Sequence, residues 1–266
     1  MTFSGAASSN WQIVATGDFD GDGKTDILFR YTPAGATDQP LAIWEMNGGQ
    51  VKASLGAGSA GSDWHVVGAG DFDGDGKSDI LWRNDNGTVA IWEMNGNQVK
   101  ASLGAGSAGS DWTIVGAGDF NGDGRADILW RNTTLGTVAV WQMNGNQVEQ
   151  SIGLGTAGLS WTIAGIGDFD GDGNSDILWR DSASGTVAIW EIANGQVKAS
   201  LGVGSAGSSW QIAGVGDYDA DGKSDILWRD SASGTVAVWE LNGASVKASI
   251  GLGAAANEWT VVHPTA

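Results

Sequence analysis

Cysteine is absent, so no disulfide contributes to stability and composition leaves the redox compartment open. Histidine occurs only at His65 and His263, which with no cysteine excludes a zinc centre of the usual kind. Cations are scarce: 13 Lys and Arg stand against 31 Asp and Glu, a formal net charge of −18. Nucleic-acid binding needs basic surface, so this balance argues against it. No apolar run approaches the ~20 residues of a membrane span. The opening MTFSGAASSN has no basic stretch followed by an apolar one, so no secretion signal is visible. Three prolines against 44 glycines imply many tight turns rather than a low-complexity linker, and a hydrophobic fraction of 41% allows a substantial core.

What the chain does have is an acidic run. DFDGDGKSD, at 71–79, places four carboxylates in nine residues. Like charges this close repel, so the segment is either unfolded or built around a cation. It recurs as DFDGDGKTD, DFNGDGRAD, DFDGDGNSD and DYDADGKSD, starting at Asp18, Asp119, Asp168 and Asp217. A disordered acidic tail has no reason to keep such a register, whereas a repeat architecture does. The repeats lie at approximately 11–63, 64–111, 112–160, 161–209 and 210–258, in one expected domain over 1–266.

Each repeat reads as four short strands, in the second copy 64–69, 79–84, 88–94 and 98–103. The segments are β-branched or aromatic and bounded by Gly, Asn or Asp, and Asn95-Gly96 is a hairpin signal. Alternation holds, but neither face is strongly polar: Val89 and Ile91 oppose Ala90, Trp92 and Met94. Strands apolar on both sides belong to sheets covered on both sides. The expected fold is therefore all-β, a β-propeller of four-stranded antiparallel blades, five in number. Gly68, Ala69 and Gly70 are small enough to make the tryptophan strand the innermost one. A sixth tryptophan strand, 259–263, exceeds the count. It can duplicate the first strand, cap an edge, belong to a larger propeller, or swap into a second chain to give an oligomer. An insertion from Tyr31 to Pro40 reads as a longer surface loop.

Oxygen donors at alternate positions suit calcium, which takes six to eight of them at ~2.3–2.6 Å. The expected ligands are Asp18, Asp20, Asp22, Lys24 and Asp26; Asp71, Asp73, Asp75, Lys77 and Asp79; and Asp119, Asn121, Asp123, Arg125 and Asp127. The last two loops supply Asp168, Asp170, Asp172, Asn174 and Asp176, then Asp217, Asp219, Asp221, Lys223 and Asp225. In the second loop Lys77 offers its backbone carbonyl, since its ammonium cannot ligate. Magnesium, with its strict octahedral shell, fits less well. An EF-hand needs a glutamate at its twelfth position, where these loops have Phe29, Trp82, Trp130, Trp179 and Trp228. The competing reading is a polar hairpin whose aspartates bond their own backbone, but five copies in register favour metal. Five divalent ions carry ten charges and would bring −18 to −8.

The motif DxDGDGxxD between a glycine-ended strand and an apolar strand resembles the FG-GAP or VCBS-type repeat, a family that includes the calcium-binding blades of integrin α-subunit propellers. The resemblance covers nearly the whole chain. It implies a β-propeller with about five calcium ions, one in each loop joining the first two strands of a blade, and an extracellular or periplasmic setting where calcium is millimolar. Relatives include lectins and adhesion modules, so the partner implied is a glycan or a protein.

No catalytic set emerges, and a non-enzymatic role is expected. The remaining signal is 15 tryptophans, three positions per repeat. Most pack between blades on this reading, while some rings stack on a sugar beside charged groups. Arg30 and Glu45 mark the first repeat. The candidate ligand residues are Trp82, Arg83, Trp92 and Glu93; Trp130, Arg131 and Trp141; Trp179, Arg180, Trp190 and Glu191; and Trp228, Arg229, Trp239 and Glu240. The competing reading of each Arg and Glu is a strand-to-strand ion pair. A multivalent carbohydrate-binding propeller leads, and a protein-interaction, adhesion or scaffold module is the alternative.

Overall fold

The computed structural model describes residues 10–256, and every regular element among them is a strand. The expected strand at 259–263 and His263 lie outside the described residues. Five four-stranded antiparallel sheets form, each from strands consecutive in sequence. The fold is a β-propeller of five such blades. Blade one comprises β1 (Trp11–Gly17), β2 (Asp26–Tyr31), β3 (Asp38–Asn47) and β4 (Gln50–Gly61). Blade two comprises β5 (Trp64–Gly70), β6 (Asp79–Asn84), β7 (Thr88–Asn95) and β8 (Gln98–Ser107). Blades three to five repeat this order, with first strands Trp112–Gly118, Trp161–Gly167 and Trp210–Gly216. Two compact units divide the described residues. One holds blades one and two with the hairpin tip Met143–Val148, and the other holds the remainder of blades three to five.

Glycine-bearing two-residue connections join the third and fourth strands. In blade two Asn95 pairs with Gln98, so Gly96 and Asn97 form the turn, one residue later than Asn95-Gly96 suggested. Gly96 takes φ +62°, whereas in blade four Asn194 and Gly195 both do so, at +52° and +70°. Both patterns match the right-handed twist of the flanking strands. The blade-one insertion differs from expectation. Asp38, Gln39 and Pro40 continue β3 and pair with Gly61, Ala60 and Ser59, which leaves only residues 32–37 as a loop. Pro40 is tolerated because β2 pairs with β3 only from Leu41 onward.

The core lies between blades rather than within them. Between blades one and two, Phe19, Leu28, Leu41 and Ile43 pack against Ile80, Trp82, Ala90 and Met94. Between blades four and five, Phe169, Leu178, Val187 and Ile189 meet Ile226, Trp228 and Leu241. This is why both faces of the strands are apolar. Within each unit the first strands of successive blades approach one another, as innermost strands must. The glycine that ends the first strand is required in blades one, three and four, at Gly17, Gly118 and Gly167. A Cβ on Gly17 would stand 2.5 Å from Ser78 Oγ, and one on Gly118 would stand 2.7 Å from Ser175 Oγ.

Candidate metal centres and the interblade wall

The acidic loops are wound around their own aspartates. Asp71 Oδ1 accepts hydrogen bonds from the amides of Gly74 (2.7 Å) and Asp75 (3.1 Å), and Oδ2 accepts one from Gly76 (2.8 Å). The chain turns this tightly because Gly74 and Gly76 adopt φ of +76° and +83°. In the fifth loop Ala220 holds the first of these positions at φ +61°, a strain of about 1–2 kcal/mol.

The closing aspartate sits deepest. Asp79 is fully buried, and its two oxygens accept from Phe72 N (3.0 Å) and Met94 N (2.8 Å). Asp26, Asp176 and Asp225 repeat this arrangement. Burial pushes the carboxyls of Asp79 and Asp176 up to about 7, against the pull of those amide bonds, and neighbouring carboxylates add to the rise. In the ion-free protein these two groups stay protonated while their unfolded counterparts ionise from 3.8 upward. Stability is therefore expected to fall as pH rises from about 4 to about 7. The carboxylates held below their usual range, such as Asp22 beside Lys24, act only at lower pH and do not mask the trend. A melting series in chelator tests this, and a midpoint that rises over the window would count against it.

Carboxylate oxygens of Asp71, Asp73 and Asp79 lie within 4.8 Å of one another, as do those of Asp168, Asp170 and Asp176, and of Asp217, Asp219 and Asp225. In the first loop the grouped residues are Asp18, Asp20 and Asp22. Two oxygens bound to one calcium at ~2.3–2.6 Å stand no more than about 5 Å apart, so each group fits a single cation. The donors are all oxygen, which selects a hard cation. In the third loop Asn121 turns its amide oxygen to Asp123 N (2.9 Å) and its Nδ2 to Asp123 Oδ2 (3.2 Å). Position-seven side chains divide: Lys77 and Lys223 Nζ donate out of the loop to Asn95 and Asn242 Oδ1, whereas Lys24, Arg125 and Asn174 donate to Asp22 (3.0 Å), Asp123 (2.8 Å) and Asp172 (2.8 Å) of their own loops.

Four residues that sequence reasoning missed complete these loops. Lys52, Lys100, Lys198 and Lys247 reach from the fourth strand of a blade into its acidic loop. Lys100 Nζ stands 2.5 Å from Asp73 Oδ2 and 3.5 Å from Asp75 Oδ2. The hydrogen bond to Asp73 holds this ammonium above the usual lysine range. The signal was the recurrent Val-Lys-Ala of the repeat.

Successive loops are also stitched together. Ser78 N donates to the backbone carbonyl of Asp18, Ser175 N to Asp119 and Ser224 N to Asp168, each at 2.6 Å. Hairpin amides add a second link, Gly96 N to Phe19 O (3.0 Å) and Gly195 N to Phe120 O (2.8 Å).

The tryptophans and arginines mainly form a wall between blades. Trp82, Trp130, Trp179 and Trp228 are each about 1% exposed. Each packs tilted against the third-strand ring of its own blade, at 4.8 Å for Trp82–Trp92, 4.7 Å for Trp130–Trp141, and 4.9 Å for Trp179–Trp190 and Trp228–Trp239. The Arg–Glu pairing across strands does not appear among the described contacts. Instead Arg30 lies over Trp82 of the next blade at 5.2 Å, Arg131 over Trp179 at 4.8 Å, and Arg180 over Trp228 at 4.9 Å. Their Nη atoms donate to backbone carbonyls, as do Arg83 to Ala108 and Gly109 and Arg229 to Ala256. Glu191 is buried, while Glu93 and Glu240 are half-buried. His65 is exposed and pairs with Asp85 at 2.8 Å.

One cavity brings candidate ligand residues together. Trp161, Trp179, Trp190, Thr156 and Ser200 line about 280 Å³ in the second unit. The buried indole N–H of Trp179 has no hydrogen-bond partner. A larger cavity of about 420 Å³ is lined by Arg180, Asp181, Ser184, Ser208, Trp210 and Gln211.

Comparison with known proteins gives a consistent picture. No curated protein matches. Among solved structures, the Photorhabdus luminescens Tc holotoxin pore aligns over 94% of this chain at 14% identity and a TM-score of 0.54. Chaetomium thermophilum Raptor aligns over 91% at 9% identity and a TM-score of 0.49. The chain spans only 12% and 20% of those two proteins, and at such identity the first likeness concerns fold alone. The FG-GAP-like repeat profile matches residues 18–82, 71–130, 119–179 and 168–228. Each match begins at the first aspartate of one loop and ends at the second-strand tryptophan of the next blade. The chain belongs to the FG-GAP-like repeat family.

Proposed function

We propose that this chain is a calcium-stabilised, non-enzymatic binding module whose ligand is carbohydrate. A β-propeller of repeated blades fits a binding or scaffold role, and the acidic groups can hold metal ions. Calcium is the cation the donor set favours. About five ions are expected, with the ligands read from the sequence, and an extracellular or periplasmic setting supplies them. No helix among the described residues is long and apolar enough to cross a membrane.

The observation that carries the carbohydrate reading is the tryptophan-lined cavity. At about 280 Å³ it suits one sugar ring, being near the lower end of the ~300–1,000 Å³ range of ligand pockets. Trp161 and Trp190 offer ring faces for C–H stacking, Ser200 and Thr156 offer hydroxyls, and Trp179 offers an unused indole donor. Related sites on other blades would add avidity.

A glycan array in millimolar calcium, with a chelator control, tests the proposal. Calcium-dependent binding to glycans sharing one terminal sugar is expected, weakened at least about tenfold by Trp190→Phe through lost ring contact. A flat array from folded, calcium-loaded protein would overturn the carbohydrate reading. It would leave a protein-binding or scaffold module, for which the extended β3–β4 ribbon of blade one is the surface that breaks the repeat.

A further inference from the structure

We propose that Lys52, Lys100, Lys198 and Lys247 are resident counter-ions of their own acidic loops, displaced when a divalent cation enters. Blade three has Glu149 in place of this lysine, and there Arg125 of the loop itself pairs with Asp123 at 2.8 Å. The inference rests on the metal reading above.

The geometry is the same in three blades. Lys52 bridges Asp20 and Asp22 at 2.5 and 3.5 Å, and Lys198 bridges Asp170 and Asp172 at the same two distances as Lys100 in its loop. Lys247 spans Asp219 and Asp221. Each ammonium therefore occupies the oxygens of the third and fifth loop positions, which a bound cation needs. A divalent ion and an ammonium sharing those oxygens repel at short range. The loop thus has two alternative fillings on one backbone. With the ammonium in place the carboxylates of the third and fifth positions are partly neutralised. With a cation in place the lysine swings into solvent, and its side chain, 41–47% exposed, has room to do so. Exposed ion pairs are individually weak, so the exchange costs little.

Blade three supports the assignment by contrast. Its loop has Asn121 where the others have aspartate, and its fourth strand has Glu149 where the others have lysine. Both changes fall in the same blade. One removes a carboxylate from the loop, and the other replaces the fourth-strand ammonium with an acid, so the cation left on the loop is its own Arg125, 2.8 Å from Asp123 Oδ2. A loop with one fewer anionic ligand would bind a cation poorly if it also had to expel a lysine.

Calcium titration calorimetry on the full chain decides the matter, with melting measured in chelator. The test variant is Lys100→Met with Lys247→Met. The control, Lys77→Met with Lys223→Met, makes the same charge change in the same two blades, but those ammoniums donate to Asn95 and Asn242 instead. The test variant is expected to tighten two calcium sites by about tenfold and to melt lower in chelator, whereas the control shifts affinity by no more than about twofold. Lys100→Gln with Lys247→Gln keeps a hydrogen bond to the loop and serves if the methionine variant does not fold without calcium. Glu149→Lys, which installs the fourth-strand ammonium in blade three, is expected to weaken the site of that blade. Equal shifts in test and control, or none in either, would overturn the counter-ion role. Absence of calcium binding in every protein, wild type included, would overturn the metal reading and this inference with it.

Discussion

Chelated protein returned to millimolar calcium is expected to melt about 20–30 °C higher. A site of about 0.1 mM affinity facing about 2 mM calcium gains RT ln(1 + 20), or ~1.8 kcal/mol, and five independent sites gain ~9 kcal/mol. For a chain of this size each kcal/mol moves the midpoint by roughly 2–4 °C. A gain of ~9 kcal/mol matches the whole net stability of an ordinary domain. The physical origin is local. Asp71, Asp73 and Asp79 converge within 4.8 Å, and a single lysine cannot neutralise all of them. Magnesium at the same concentration is expected to do much less, because it holds its water and demands octahedral geometry. A calcium shift of only a few degrees, or equal shifts with both ions, would show that the loops stand without metal.

Trp179→Ala is expected to cost about 3–5 kcal/mol, among the largest single-residue effects in the chain. The ring is about 1% exposed and lies between Phe120, Leu129 and Val140 of one blade and its own Trp190. Its loss leaves a cavity in the interblade core and removes the face over which Arg131 stacks at 4.8 Å. Arg131 would keep its carbonyl partners, Ala157 and Trp161, so the cost is packing rather than an orphaned charge. Trp190→Ala, at a half-buried ring, is expected to cost less than half as much. Urea unfolding with calcium present measures both. A Trp179→Ala penalty below ~1 kcal/mol would mean that the blades are not held by this wall.

Much of this architecture was legible in the sequence because a strand records its environment locally. Val89 and Ile91 on one side and Ala90 and Met94 on the other announce a sheet covered twice, and all four are buried, Ala90 and Met94 against blade one. The acidic loop was legible for a similar reason, since its ligands lie within nine residues. The partners of Arg131 and Lys100 were not. Arg131 and Gln142 occupy adjacent strands, which suggests pairing across the sheet, yet the guanidinium lies over a ring 48 positions further on. Lys100 reaches back 27 residues to Asp73. A single repeat shows which side of the sheet a residue occupies, but not which neighbouring blade or loop meets it. The insertion at Tyr31–Pro40 misled for another reason. Proline and glycine mark a turn, but the backbone pairing of Asp38–Pro40 with Ser59–Gly61 depends on the partner strand, which tolerates proline at an edge.

The bonds that join successive loops bear on how such a chain is made. Ser78 N reaches Asp18 O, and in the other unit Ser175 N reaches Asp119 O and Ser224 N reaches Asp168 O. In these pairs the later repeat supplies a plug, its serine amide, and the earlier one a socket, its leading aspartate carbonyl; the fourth repeat, with Ser175 and Asp168, carries both. Copying one period copies a complete joint, with the arginine, the tryptophan it covers and the glycine that lets them close. Duplication inherits working seams, so lengthening the array requires no invention at the junction. Single positions can then differ between copies, as Asn121 and Glu149 do, without touching the seams.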